Sequence, residues 1–199
     1  MKMNFKYLCI IASISIFIQN SAFSQSYPTD KGSKIIGGRV SFTHRGGDLF
    51  ENSDGDKRTA FQMDPFACYF ISPGLALGAG FIFEKQSQGD YNAMAWGLGP
   101  KLKYFFGHNQ SSSPVKGSNY PFLAAQFIFL NYSVDYGSGD EDTSGNRLDL
   151  SGGILHMLSE SVGLTGSATY SIQNQKHEKE DSKSGNSITL SAGLSFFLY

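Results

Sequence analysis

Four histidines, two acidic clusters and a scattered set of charges are the residues whose types admit chemistry. His44, His108, His156 and His177 could each serve as a general base, but none lies near a Ser-containing motif such as G-x-S-x-G. A hydrolytic set would have to assemble from distant segments. Asp54 and Asp56, and further on Asp140, Glu141 and Asp142, supply the oxygen ligands that Ca²⁺ or Mg²⁺ takes. The run N-S-D-G-D from Asn52 has a passing likeness to a calcium loop. Its glycine is misplaced, however, and the twelfth position is Met63 where a bidentate Glu is required. Solvated acidic loops are the simpler reading. No cofactor or metal centre is expected, and no enzyme.

The remaining charges acquire meaning only from the elements that carry them. From Val162 the chain reads V-G-L-T-G-S-A-T-Y-S-I-Q, apolar and small-polar residues in strict alternation, the period of a strand. The last segment repeats it, with Ile188, Leu190, Ala192, Leu194, Phe196 and Leu198 against Thr189, Ser191, Gly193 and Ser195. Four more segments follow the same rule. Segment 146–157 sets Leu148, Leu150 and Ile154 against Asp149, Ser151 and Gly153. In 120–136, Phe122, Ile128, Leu130, Tyr132 and Val134 face away from Asn131, Ser133 and Asp135. In 92–106, Met94, Trp96, Leu98, Leu102 and Tyr104 oppose Ala95, Gly97, Lys101 and Lys103. In 75–86, Leu75, Leu77, Phe81 and Phe83 oppose Ala76, Gly78, Gly80 and Glu84. Residues 34–44 place Ile36, Val40 and Phe42 opposite Arg39, Ser41 and Thr43. In 60–71, Phe61, Met63 and Tyr69 oppose Gln62 and Asp64, but Phe66 and Phe70 share the Asp64 face. A bulge at Pro65 would shift the phase there and send Phe66 outward.

Eight strands and no helical period make an all-β chain. The linkers 45–59, 87–91, 137–145 and 174–185 are polar, Gly-rich or charged, whereas 72–74 and 159–161 are tight turns. Residues 107–119 break the pattern as a long connection on the short-turn side. Long loops at one end and short turns at the other is the asymmetry of a membrane barrel.

Face assignment decides the class. Packed inward, Trp96, Phe81, Phe83, Phe122, Ile128, Leu130, Tyr132, Tyr170, Leu194 and Phe196 would overfill an eight-stranded lumen. The outside would then be Gly, Ala, Ser and Thr with few charges, unlike a soluble surface. Turned outward, the bulky face meets lipid and the small polar face fills the interior. Mean hydropathy of −0.22 is compatible, because alternating faces cancel. The expectation is an eight-stranded antiparallel up-and-down transmembrane β-barrel over residues 33–199, preceded by an N-terminal tail at 25–32. Residues 1–24 read as a secretory signal peptide, with Lys2 and Lys6, an apolar run from Leu8 to Ile18, and Ala22-Phe23-Ser24 before the cut. Cleavage leaves Cys68 alone, which excludes a disulfide framework. A net charge of −1 offers nothing to nucleic acid.

On these phases Arg39, Asp64, Glu84, Lys101, Lys103, Asp135 and Asp149 point into the lumen. They must pair or meet water there, since an unpaired buried charge is costly. A hairpin centred near residue 52 sets Arg39 across from Asp64. The expectation is an Arg39–Asp64 ion pair, with Glu84 sharing the guanidinium, that plugs the lumen at mid-height.

The chain resembles the small Gram-negative outer-membrane barrels of the OmpX and OmpA-transmembrane type over essentially all of residues 33–199. The ending G-L-S-F-F-L-Y is similar to that family's terminal strand. The resemblance implies an outer-membrane location, lipid as the surrounding partner, and an end segment (Leu194, Phe196, Leu198 and the final Tyr199) read by the barrel-insertion machinery. Tyr199 falls one step beyond the lipid-facing row. Such barrels act as anchors, adhesins, small channels or enzymes. The expected function is non-enzymatic display of polar loops from a side-chain-filled barrel, for surface interaction or envelope integrity. Extracellular ligands would meet loops 45–59, 137–145 and 174–185. A narrow transport or ligand-binding barrel is the alternative, and a rim-located lipid-modifying enzyme stands behind it.

Overall fold

The computed structural model describes residues 28–45, 58–89, 91–107, 116–135, 140–176 and 183–198. Among the described residues eight strands follow one another and no helix occurs: β1 Lys34–Arg45, β2 Arg58–Ser72, β3 Leu75–Gln88, β4 Tyr91–Phe105, β5 Asn119–Asp135, β6 Asp140–Met157, β7 Val162–Lys176 and β8 Lys183–Leu198. Each pairs antiparallel with its neighbour, and β8 pairs with β1 to close the barrel. Seven of the ladders run most of the length of their strands. The β1–β8 seam is shorter: it spans Lys34–Val40 against Ala192–Leu198 and stops there.

Alternation makes the wall. Trp96 is 50 % exposed and Leu190 76 %, alongside Val40, Phe42, Leu98, Tyr170 and Phe196 on the same outer surface. Soluble monomers rarely expose so continuous an apolar belt, and lipid satisfies one. The tight turns at Pro73–Gly74 and Ser159–Ser161 mark the periplasmic end; Gly74 there takes φ 77°, which a side chain would resist. At the opposite end β3 and β4 are joined by a turn at Gly89, so that connection is tight as well. Strand β6 begins at Asp140 and β2 at Arg58, which shortens the expected loops 137–145 and 45–59.

Two expectations are corrected. Strand β5 has the opposite phase: Phe122, Ile128 and Leu130 are buried in the lumen with Tyr132 packed against them, while Leu123, Phe127 and Phe129 face outward. There is no bulge at Pro65, and Phe66 points inward. The β2–β3 ladder skips Asp64 and Pro65 and resumes at Phe66 in unchanged register, so the missing proline donor costs a local opening and no phase shift. The register irregularity of β2 lies instead between Phe70 and Ser72. The described residues of the N-terminal tail, 28–32, lie against the barrel. Pro28, Thr29 and Ser33 are buried at the periplasmic end, where Gly32 N donates to Phe70 O at 3.0 Å and Gly74 N to Thr29 O at 2.8 Å.

The β5 correction carries a test. Phe127→Arg should destabilise refolding into lipid vesicles by about 2–4 kcal/mol, the cost of a cation near the bilayer midplane. Leu164→Arg, nearer the periplasmic turns, should cost less; equal losses would show the depths to be misplaced.

Candidate functional site in the barrel lumen

The lumen is stratified from the periplasmic end outward. The lowest layer is aromatic: Phe70, Phe105, Phe122 and Phe197 pack with Ile35, Cys68, Leu155 and Met157. Ring centroids of Phe70 and Phe105 are 5.8 Å apart, as are those of Phe105 and Phe122. Eight strands hold rings this large because glycines face them. A Cβ on Gly153 would come within 2.8 Å of the Phe122 ring, and one on Gly37 within 2.8 Å of Phe66.

Above the rings lies a charged layer. Arg39 and Asp64 are paired residues of the β1–β2 ladder, and Arg39 Nε donates to Asp64 Oδ2 at 2.8 Å. The same guanidinium crosses the lumen, and its Nη1 donates to Thr169 at 2.8 Å and to Ser151 and Ser167 at 3.3 Å. From β4, Lys101 Nζ reaches Asp64 Oδ1 at 3.4 Å and Gln126 Oε1 at 2.8 Å. One carboxylate therefore serves two cations, and the layer joins β1 and β2 to β4, β5, β6 and β7. Gly193 on β8 leaves the space that Arg39 fills, since a Cβ there would sit 3.0 Å from Arg39 Cγ. A water-sized cavity of about 10 Å³ flanks the pair on each side, one among Gln62, Ser171, Thr189 and Ser191, the other beside Lys101, Lys103 and Phe122.

Glu84 does not share the Arg39 guanidinium. Its ladder partner on β2 is Gln62, two residues from Asp64 toward the loops, so the stagger of the strands lifts it out of reach. There it lies 3.6 Å from Arg147, which also donates to Asp149 Oδ2 at 2.9 Å. Arg147 escapes the sequence reading although it shares Asp149's face at i−2, the signal that would have found it. Ile82, Ile128 and Leu130 fill the lumen near this upper pair. Lys103 has no carboxylate within 4 Å among the described residues; its Nζ lies 3.9, 4.8 and 5.1 Å from the ring centroids of Phe122, Phe105 and Phe66.

Of the other candidates, His156 is exposed and bonded to Asn119 at 2.9 Å. The side chains of His44, Asp135, Asp140, Glu141 and Asp142 lie outside the described residues, as do His108, His177, Asp54, Asp56 and Tyr199. Among the described residues no three His, Cys, Asp or Glu side chains converge on a point where a metal could bind. Leu194, Phe196 and Leu198 face outward, and between them Phe197, which the sequence reading passed over, turns into the aromatic layer. What the lumen arrangement does chemically is hold opposite charges paired across the strands.

A closed eight-stranded antiparallel wall, apolar outside and filled inside, is the fold of the small outer-membrane β-barrels. Among solved structures it is similar to Neisserial surface protein A, at 19 % identity and a TM-score of 0.55, over 82 % of this chain and 94 % of that one. It is also similar to the N-terminal β-barrel domain of Pseudomonas aeruginosa OprF, at 11 % identity and a TM-score of 0.50, over 84 % and 98 %. No family model and no curated protein matches the chain.

Proposed function

We propose that the protein is a non-enzymatic, non-conducting barrel, exported with loss of residues 1–24 and inserted through its terminal strand, that presents polar loops at the outer face for surface interaction or envelope integrity. The observation that carries this reading is the filled lumen. The aromatic layer and the Arg39–Asp64–Lys101 layer lie in series across it, and the cavities beside the pair each have room for about one water. A solute path would have to break a buried ion pair and displace stacked rings. With the interior so occupied, the segments between β1 and β2, β5 and β6, and β7 and β8 are where extracellular ligands would bind.

Planar-bilayer recording on the refolded protein tests the proposal. The expected result is no unitary conductance above the lipid baseline in chloride or potassium salts. Reproducible single-channel steps would overturn it and favour the narrow transport barrel.

A further inference from the structure

We propose that the lumen cavity bounded by Lys101, Lys103, Arg39 and Phe122 is a binding site for one monatomic anion of the halide class. Three cationic side chains line this cavity and, among the described residues, no carboxylate does; the neighbouring Asp64 is already engaged by both Arg39 and Lys101. Lys103 is 3 % exposed, lines the cavity, and has three aromatic rings but no carboxylate as neighbours among the described residues. Ring faces attract an ammonium without neutralising it. A buried cation in that position calls for a counter-ion.

The walls select the ion. Ser151 and Thr165 add hydroxyls, and the free volume of about 10 Å³ matches one water-sized guest. Phosphate, sulfate and carboxylates are too large, and any cation would be repelled. Phe66 and Phe122 bound the cavity on the side of the aromatic layer and Arg39 lines it beside the ion pair, so the ion enters as the barrel folds and exchanges slowly.

Two measurements on the full mature chain test the site. Crystals of protein refolded and crystallised in sodium bromide should show an anomalous peak among Lys101, Lys103 and Phe122; the absence of one would overturn the proposal. In lipid vesicles at constant ionic strength, replacing sodium gluconate by chloride at ten times its Kd should shift the unfolding equilibrium about tenfold toward the folded barrel. Lys103→Met should abolish that shift. Equal stability of the wild type in the two salts, as a Lys103 that buries as the neutral amine would give, rejects the anion. Should the methionine variant not fold, the bromide peak and the wild-type salt comparison still decide.

Discussion

Asp64→Ala is expected to destabilise the folded barrel by about 3–5 kcal/mol, because it removes one partner of a buried pair and leaves the other charged. The side chains of Asp64, Lys101 and Arg39 are 3 %, 4 % and 10 % exposed, so water does little to screen them. Asp64 is the carboxylate that both cations share, and Lys103 lies one step below them on β4. Without it, three positive side chains face one another across a narrow lumen. Arg39→Ala should cost less, since Lys101 still holds Asp64. Urea unfolding in lipid vesicles reads both. A loss for Asp64→Ala no greater than an exposed pair gives, about 0–1 kcal/mol, would show the layer to be wet.

Deletion of Phe196–Tyr199 is expected to abolish the barrel. Phe196, Phe197 and Leu198 pair with Ile36, Ile35 and Lys34, nearly half of an already short seam. Phe197 also packs in the aromatic layer and donates its N–H to Ser161 O at 2.8 Å. With the seam reduced to Gly37–Val40, a row of backbone donors and acceptors would face lipid without partners, which the bilayer core does not tolerate. The truncated chain should fractionate as soluble periplasmic protein and be cut rapidly by added protease. Recovery of a protease-resistant membrane form would reject the claim.

Legibility in the sequence followed polarity. Strands β6, β7 and β8 alternate bulky with small polar residues, and their inward faces (Asp149 and Ser151, Thr165 to Ser171, Ser195) could be assigned from phase alone. In β5 both phases are apolar from Phe122 to Leu130, so bulk gave no direction. The informative residue was Gln126: the single polar side chain in that stretch belongs to the lumen, and Phe122, Ile128 and Leu130 share its face. Pro65 misled for a different reason. A proline in a closed wall suggested a bulge, but skipping two ladder partners accommodates it, and β4 does the same around Pro100. Arg39 and Asp64 could be placed opposite each other because a hairpin fixes register locally. Lys101 and Thr169 depend on the stagger accumulated around the barrel, which no local pattern encodes, whereas Glu84 is set beside Gln62 by the β2–β3 hairpin register.

The short seam has a kinetic meaning. β1 and β8 are the first and last strands of the chain, so their pairing must await every other strand and closes the largest possible loop. From Ser41 upward on β1, and from Ser191 upward on β8, neither strand has the other as a ladder partner. Closure therefore zips from the periplasmic turns toward the loops and stalls partway. Opening retraces that route, fraying first at the outer leaflet, while Phe197, packed among the rings and bonded to Ser161 O, holds the lower weld shut. Such a wall has a built-in order of failure, and its weakest line runs between the two ends of its own chain.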